Sequence, residues 1–136
     1  MDRVINVSDR GNAAIHAMAV AAAGEGRVTA SLCAAELGVS PSYLAKVLQT
    51  LVRSDLLRST RGAAGGFELV RGPETVSCLE VLEAVDGPLP ERQCLFGESV
   101  CTKGSCSLKV MCDKVAKTVR SALESTSIAA IATSFR

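Results

Sequence analysis

The pattern that most limits what this chain can become lies between residues 29 and 54: two short apolar segments broken at one glycine and restarted at a serine-proline pair. Thr29 stands before ASLCAAEL, which stops at Gly38; Ser40 and Pro41 then supply a helix N-cap and a first-turn proline for SYLAKVLQTLVRS. In the second segment Leu44, Val47, Leu48, Leu51 and Val52 recur at helical spacing. That leaves Ser42, Tyr43, Lys46, Gln49 and Arg53 for solvent or a ligand. Two helices joined by a short turn containing glycine form a DNA-reading unit, because the second projects its N-terminal side chains into the major groove while the first braces it.

The neighbouring segments extend this pattern. LLRSTRGAAGGFELV is two strand-like runs around Gly62, Gly65 and Gly66, a hairpin with Arg61 at its tip. Behind a helix-turn-helix it is expected to act as a wing, with Arg61 suited to a narrow minor groove. Upstream, Ser8 caps an alanine-rich helix that ends at Gly24 and carries Ile15, Met18, Ala19 and Ala22 on its apolar face. Downstream, Ser77 and Glu80 form a capping box that opens CLEVLEAV, which stops at Asp86-Gly87. Pro88 and Pro90 introduce a cysteine-rich loop. A long helix over residues 107–124 follows, striped by Leu108, Met111, Val115, Val119 and Leu123, and a short apolar run spans residues 127–133.

Composition sets the limits. With 136 residues, 48% of them apolar, the chain suffices for one compact core and not for two large ones. Neither a secretory leader nor an uncharged apolar run of membrane-spanning length stands out, so a soluble, cytoplasmic protein with no membrane partner is expected. Disulfides are kept reduced in that compartment, and six cysteines therefore point to metal ligands or redox-active thiols. Four of them, Cys94, Cys101, Cys106 and Cys112, fall within 19 residues. Cys33 and Cys78 sit among apolar neighbours and read as small buried hydrophobes. Overall charge is only +1, but from residue 43 to 72 Lys46, Arg53, Arg58, Arg61 and Arg71 face only Asp55 and Glu68, a local basic excess that a dimer would double. One histidine, no paired carboxylates and no phosphate loop argue against an enzyme.

The stretch VTASLCAAELGVSPSYLAKVLQTLVRSDLLRSTRGAAGGFELVRGPETVSCLEVLEAVDG resembles the winged-helix domain of bacterial regulators that include the iron-sulfur cluster regulator, the nitric-oxide-sensing repressor and the cysteine-metabolism repressor. The cysteine loop and long helix follow in the family's order, so the resemblance covers nearly the whole chain. It implies a mainly α fold: a winged helix-turn-helix with a small β-hairpin wing and a long C-terminal dimerisation helix. Residues 1–87 would be the DNA-binding domain, 88–106 the cysteine-rich cluster-binding loop, and 107–136 the dimerisation helix and C-terminal segment. A homodimer reading a palindromic site in double-stranded promoter DNA is implied. The expected DNA contacts are Ser40, Ser42, Tyr43, Lys46 and Gln49 of the second helix and Arg58, Arg61 and Gly65 of the wing.

Iron-sensing relatives carry three loop cysteines and a variable fourth ligand. Cys94, Cys101 and Cys106 match the three in order and total span, though their spacing is less even. Soft thiolates of this kind select an iron-sulfur cluster (2Fe-2S or 4Fe-4S) or zinc over hard cations. Where some relatives place a histidine shortly after the third cysteine this chain has Lys109, a poor ligand while protonated. Others use an acidic residue or histidine from the partner's first helix, and the counterparts here are Asp9, Asn12 and His16. The fourth-ligand candidates are Cys112, His16 and Asp9. Three functions stay open at this stage: a cluster-controlled regulator, a cluster-free thiol switch, and a zinc-stabilised module.

Overall fold

The computed structural model describes residues 7–25, 27–62, 65–89 and 106–135. The described chain runs α1 (Asp9–Ala23), β1 (Arg27–Val28), α2 (Ala30–Leu37), α3 (Pro41–Arg53), β2 (Leu57–Thr60), β3 (Gly66–Leu69), α4 (Cys78–Asp86), α5 (Ser107–Ser125) and α6 (Ile128–Ala132), with single 3-10 turns at Pro73–Thr75 and Thr133–Phe135. Cys94, Cys101 and most of the expected cluster-binding loop lie outside the described residues.

The expected helix starts hold because each is local chemistry. Ser8, Thr29, Ser40 and Ser77 all have extended backbone and accept the amide of the residue three further on, satisfying one orphan donor of each first turn. Gly38 ends α2 in the left-handed conformation, with φ 66°. The capping box at α4 is only half formed. Glu80 donates its amide to the Ser77 hydroxyl at 3.0 Å, but its carboxylate turns to Arg71. The Arg71 guanidinium also reaches the carbonyl of Thr75, so this arginine belongs to the framework beneath the wing.

α1 departs from a one-sided helix. Alanines and Met18 are buried around most of its circumference, because α2, α3, α4 and α6 all pack on it. A helix with so wide an apolar surface is a core helix, and the small alanine side chains let four neighbours approach its axis. Gly11 shows how closely: a Cβ there would lie 2.4 Å from Leu82 Cδ1 and 2.7 Å from Asp86 Oδ2 of α4. Around this spine Leu44, Leu48 and Leu51 of α3, Val81 and Leu82 of α4, and Ile128 of α6 complete one core. Burying each large aliphatic side chain contributes roughly 1.5–3 kcal/mol.

The wing is three-stranded rather than a plain hairpin. β1 pairs with β3 and β3 with β2, all antiparallel, in the order β1-β3-β2. Two residues are too few to carry an alternation signal, and β1 forms because the Gly24-Glu25 turn returns the chain from α1 alongside β3. Gly66 makes the pairing possible, since a Cβ there would meet the Val28 carbonyl oxygen at 2.8 Å and its φ is +149°. The C-terminal segment also joins the head. Cys78 donates its amide to Thr126 and Ile128 donates to Val76, clipping the starts of α4 and α6 together, and Ile128 and Ala132 pack in the α1 core. The sequence division at residue 107 groups α6 with the long helix, whereas its packing is with residues 1–87.

Candidate nucleic-acid interface and sensor face

α3 divides cleanly. Leu44, Val47, Leu48 and Leu51 are buried, while Ser42, Lys46, Gln49 and Arg53 are exposed. Those four stand at helical spacings of four, three and four residues, so they form one solvent-facing line. Hydroxyl, ammonium, amide and guanidinium groups on one helix face can donate to phosphates and reach base edges. The Ser40 hydroxyl is engaged as the α3 cap, at 3.2 Å from the Tyr43 amide. Tyr43 lies off the line and lines a cavity instead.

That cavity has a volume of about 670 Å³ and is lined by Asp9, Asn12, Ala13 and His16 of α1, Leu37 and Val39 around the helix-turn-helix turn, and Tyr43 of α3. It brings together two fourth-ligand candidates, Asp9 and His16, with the element expected to read DNA. Sequence spacing could show that Asp9 and His16 share a helix face, but not that this face opens onto the turn between α2 and α3. His16 Nδ1 lies 2.8 Å from the Asn12 carbonyl oxygen. A carbonyl only accepts, so Nδ1 carries the proton and, in the neutral ring, Nε2 keeps a lone pair. Phe135 meets the imidazole edge-on, with ring centroids 6.1 Å apart.

In the wing, Arg61 is exposed beside Gly62, and Gly65 spends its amide on the Gly62 carbonyl at 2.9 Å, closing the turn. A Cβ on Gly65 would sit 2.4 Å from the Thr60 carbonyl oxygen, so this residue shapes the tip. Arg58 points its Nε and Nη2 at one oxygen of Glu68, at 3.0 and 2.8 Å, and Arg27 holds the other oxygen at 3.1 Å. The hydrogen bonds from Arg58, followed by those from Arg27, hold the Glu68 carboxyl below the usual carboxylate range. Arg27 and Glu68 did not stand out from the sequence, because the pairing needs a strand register that only the fold supplies.

At the other end, Cys106 is the N-cap residue of the 19-residue α5 and makes no side-chain capping hydrogen bond. The first-turn amides of α5 therefore take no bond from the Cys106 side chain. Cys112 is six residues on, roughly 9 Å further along the axis and about 120° around it. Lys109 pairs with Asp113 at 2.9 Å. Among the described residues no group of three or more His, Cys, Asp or Glu side chains is gathered tightly enough to hold a metal ion. Cys33 and Cys78 are buried as expected, and burial pushes both thiols up, Cys33 to about 11 with Glu36 adding to the effect. No described helix is long and apolar enough to cross a membrane.

Comparison with known proteins agrees with this architecture. A family model described as Rrf2, iron-dependent transcriptional regulator, matches residues 7–134. A putative HTH-type transcriptional regulator of Mycobacterium tuberculosis is 33% identical over 132 residues, covering 94% of this chain and 81% of that protein. The HTH-type transcriptional regulator IscR of Aliivibrio salmonicida is 30% identical over 103 residues, 74% of this chain and 61% of its own. Among solved structures, CymR, the global cysteine regulator of B. subtilis, superposes with a TM-score of 0.81 at 22% identity, covering 96% of this chain and 98% of its own. T. potens IscR gives 0.76 at 25% identity, covering 98% and 90%.

Proposed function

The chain belongs to the Rrf2 family of transcriptional regulators, and from that membership we propose that it is a homodimeric repressor or activator whose grip on a palindromic promoter site is set by an iron-sulfur cluster. The relatives and the structural neighbours are regulators rather than enzymes. Work on promoters belongs in the cytoplasm.

The observation that carries the cluster reading is the start of α5. The helices α1, α2, α3, α4 and α6 each begin on a Ser or Thr whose hydroxyl accepts a first-turn amide, and α5 alone among the described α-helices begins on a cysteine with no such bond. A soft sulfur donor stands there in place of a hydroxyl cap, and together with Cys94 and Cys101, which precede it in the sequence, it makes a donor set suited to an iron-sulfur cluster. When bound, such a cluster supplies a centre that oxygen, nitric oxide or iron depletion can alter. The fourth ligand is best sought on the α1 face of the partner subunit, where the Nε2 lone pair of His16 and the carboxylate of Asp9 border the same cavity. Cys112, six residues along α5 from Cys106, is the further candidate for that position.

The residues around the loop root link sensor to reader. Glu83 of α4 accepts the amide of Leu89, where the loop begins, and faces Arg120 of α5 at 3.7 Å. Arg10 of α1 binds the Val85 carbonyl at the end of α4, and the Ser8 hydroxyl binds Asp86. A change in the loop therefore acts on α1, whose Asp9–His16 face adjoins the helix-turn-helix turn, and shifts a two-state balance in DNA affinity.

The test is anaerobic purification with iron, acid-labile sulfide and absorption measurements. Brown protein with bands near roughly 400 nm supports the reading, and Cys106→Ala should lose the colour while keeping helicity and the dimer. Colourless protein with a full thiol titre would replace the cluster with a thiol/disulfide switch, and stoichiometric zinc would replace it with a structural zinc module.

A further inference from the structure

The outer face of the wing carries a charged group that the recognition-helix line does not use. Arg27 of β1, Glu68 of β3 and Arg58 of β2 stand directly opposite one another across the three strands. Their sheet neighbours Val28, Phe67, Leu57 and Leu69 face the core, so the period-two pleat puts these three side chains on the solvent face. Both carboxylate oxygens of Glu68 are occupied, one by each arginine, at 2.8–3.1 Å. The arginine side chains remain open to solvent, 49% exposed at Arg27 and 62% at Arg58, while that of Glu68 between them is 26% exposed. Beside them lies a hollow of about 520 Å³ bordered by Arg27, Glu68, Gly65 of the wing tip, Glu25, and Thr29 and Leu32 of the α2 N-terminus. In a helix-turn-helix the first helix crosses the nucleic-acid backbone, so this hollow sits where wing and backbone-crossing helix meet.

We propose that Arg27 and Arg58 form a second phosphate-contacting patch of the DNA interface, and that Glu68 is its internal competitor, occupying both guanidiniums in the free protein and yielding them to backbone phosphates on binding. The inference rests on the DNA-binding reading above. A carboxylate and a phosphate present the same paired acceptors to a guanidinium, and solvent-exposed ion pairs are weak enough to be exchanged. The triad has a net charge of +1. Sequence is not read here, because phosphates carry none of it. What Glu68 sets is how much non-specific affinity the wing adds, and so how far the protein depends on its recognition helix to stay bound.

The experiment uses the full chain and a short mixed-sequence DNA duplex, with binding followed by fluorescence anisotropy across a salt series and thermal unfolding recorded in parallel. Glu68→Gln keeps the shape and removes the charge. It is expected to tighten binding about fivefold at low salt and to steepen the salt dependence by up to about 0.9 per wing engaged, one further counterion displaced. Arg27→Gln should weaken binding and make the slope shallower by a similar amount, and the double variant should return towards wild type. A purely structural ion pair would move the unfolding temperature and leave the slope alone. Arg61→Ala separates the two possible failures. If it weakens binding while Glu68→Gln and Arg27→Gln leave affinity and slope unchanged, the patch lies off the DNA and the competitor role is overturned, with DNA binding intact. If the wild-type protein binds no duplex at low salt, both readings fall.

Discussion

The head of this molecule and its α5 arm are built on opposite terms. In the head, every α-helix starts on a hydroxyl cap, and α1, α3 and α4 bury continuous apolar faces against one another and against α6. The arm has 19 residues and none of them is buried; Leu108, Val110, Met111 and Val115 are half or more exposed, or nearly so, and its first turn is capped by a cysteine that makes no capping bond. Among the described residues its C-terminal end leans on the head through Leu123 and the Arg120–Glu83 pair. The head thus contains the reasons for its own fold, whereas the arm presents apolar surface that a second copy of the chain would cover. Under the proposed function, that division would separate the part that holds a fixed shape against DNA from the part whose state changes.

The sharpest way to break the comparison is to remove equal volumes from each side. Leu48→Ala, at a fully buried position of α3, should cost roughly 2–5 kcal/mol and lower the unfolding temperature steeply. Leu108→Ala on the arm should change unfolding of the dissociated chain by no more than about 0.5 kcal/mol. Equal losses in chemical denaturation would mean that the arm shares the core after all.

Cys33 gives a second contrast, in pH. Burial first, then Glu36, pushes its thiol from 9.0 up to about 11. The unfolded chain would ionise this thiol from pH 9.0 onward while the folded head keeps it protonated. Its contribution is therefore intact below pH 9.0 and is lost as pH rises towards about 11, by up to about 3 kcal/mol. Wild type should lose more stability over that window than Cys33→Ala does; parallel curves would sink the prediction. In the folded protein the thiol should resist alkylation, whereas Cys112 on the arm, and Cys106 once the protein is stripped of any cluster, should react.

How much of this could be read in advance follows the same line. Ser8, Thr29, Ser40-Pro41, Gly38 and Ser77 act within a turn of themselves, so their helix boundaries are written locally, and the α3 face of Ser42, Lys46 and Gln49 follows from period alone. What was hidden is what needs distant segments to meet. β1 is two residues that pair only once β3 is beside them, α1 is buried around most of its circumference in part because α6 returns from the far end of the chain, and Glu68 joins residues 27 and 58 through register. The cavity under Tyr43 is of the same kind: Asp9 and His16 were visible as helix neighbours, but their position against the helix-turn-helix turn was not. The fourth ligand of the proposed cluster stays open in the sequence, because Cys112 on α5 and His16 and Asp9 on α1 lie on separate elements and spacing alone cannot say which of them meets the loop.

If the arm is completed by a second copy, charging its stripe should act on assembly and not on the head. Met111→Asp combined with Val115→Asp should raise the dimer dissociation constant about a hundredfold, close to 2.7 kcal/mol, while circular dichroism of the head is retained. Sedimentation velocity over a dilution series reads this directly. A double variant that stays dimeric would place the dimer contact elsewhere, and the arm's exposed stripe would need another partner.

The smallest expected effect concerns the head alone and tests whether its rigidity serves DNA. Arg61 lies at the wing tip, exposed and next to Gly62, and the turn beneath it is closed by the Gly65 amide on the Gly62 carbonyl. If the wing docks on DNA as proposed, a guanidinium held on so tight a turn would enter a narrow minor groove with little freedom to lose. Arg61→Ala should weaken binding to a cognate promoter duplex about tenfold, near 1.4 kcal/mol, and leave the dimer and the cluster colour unchanged. Gly65→Ala provides the sharper arm of the test: its Cβ would collide with the Thr60 carbonyl, displacing the tip without touching the guanidinium. If tip geometry matters, this variant should reproduce most of the Arg61→Ala loss. If Gly65→Ala binds like wild type while Arg61→Ala does not, charge at the tip suffices and the shaped turn contributes nothing to recognition.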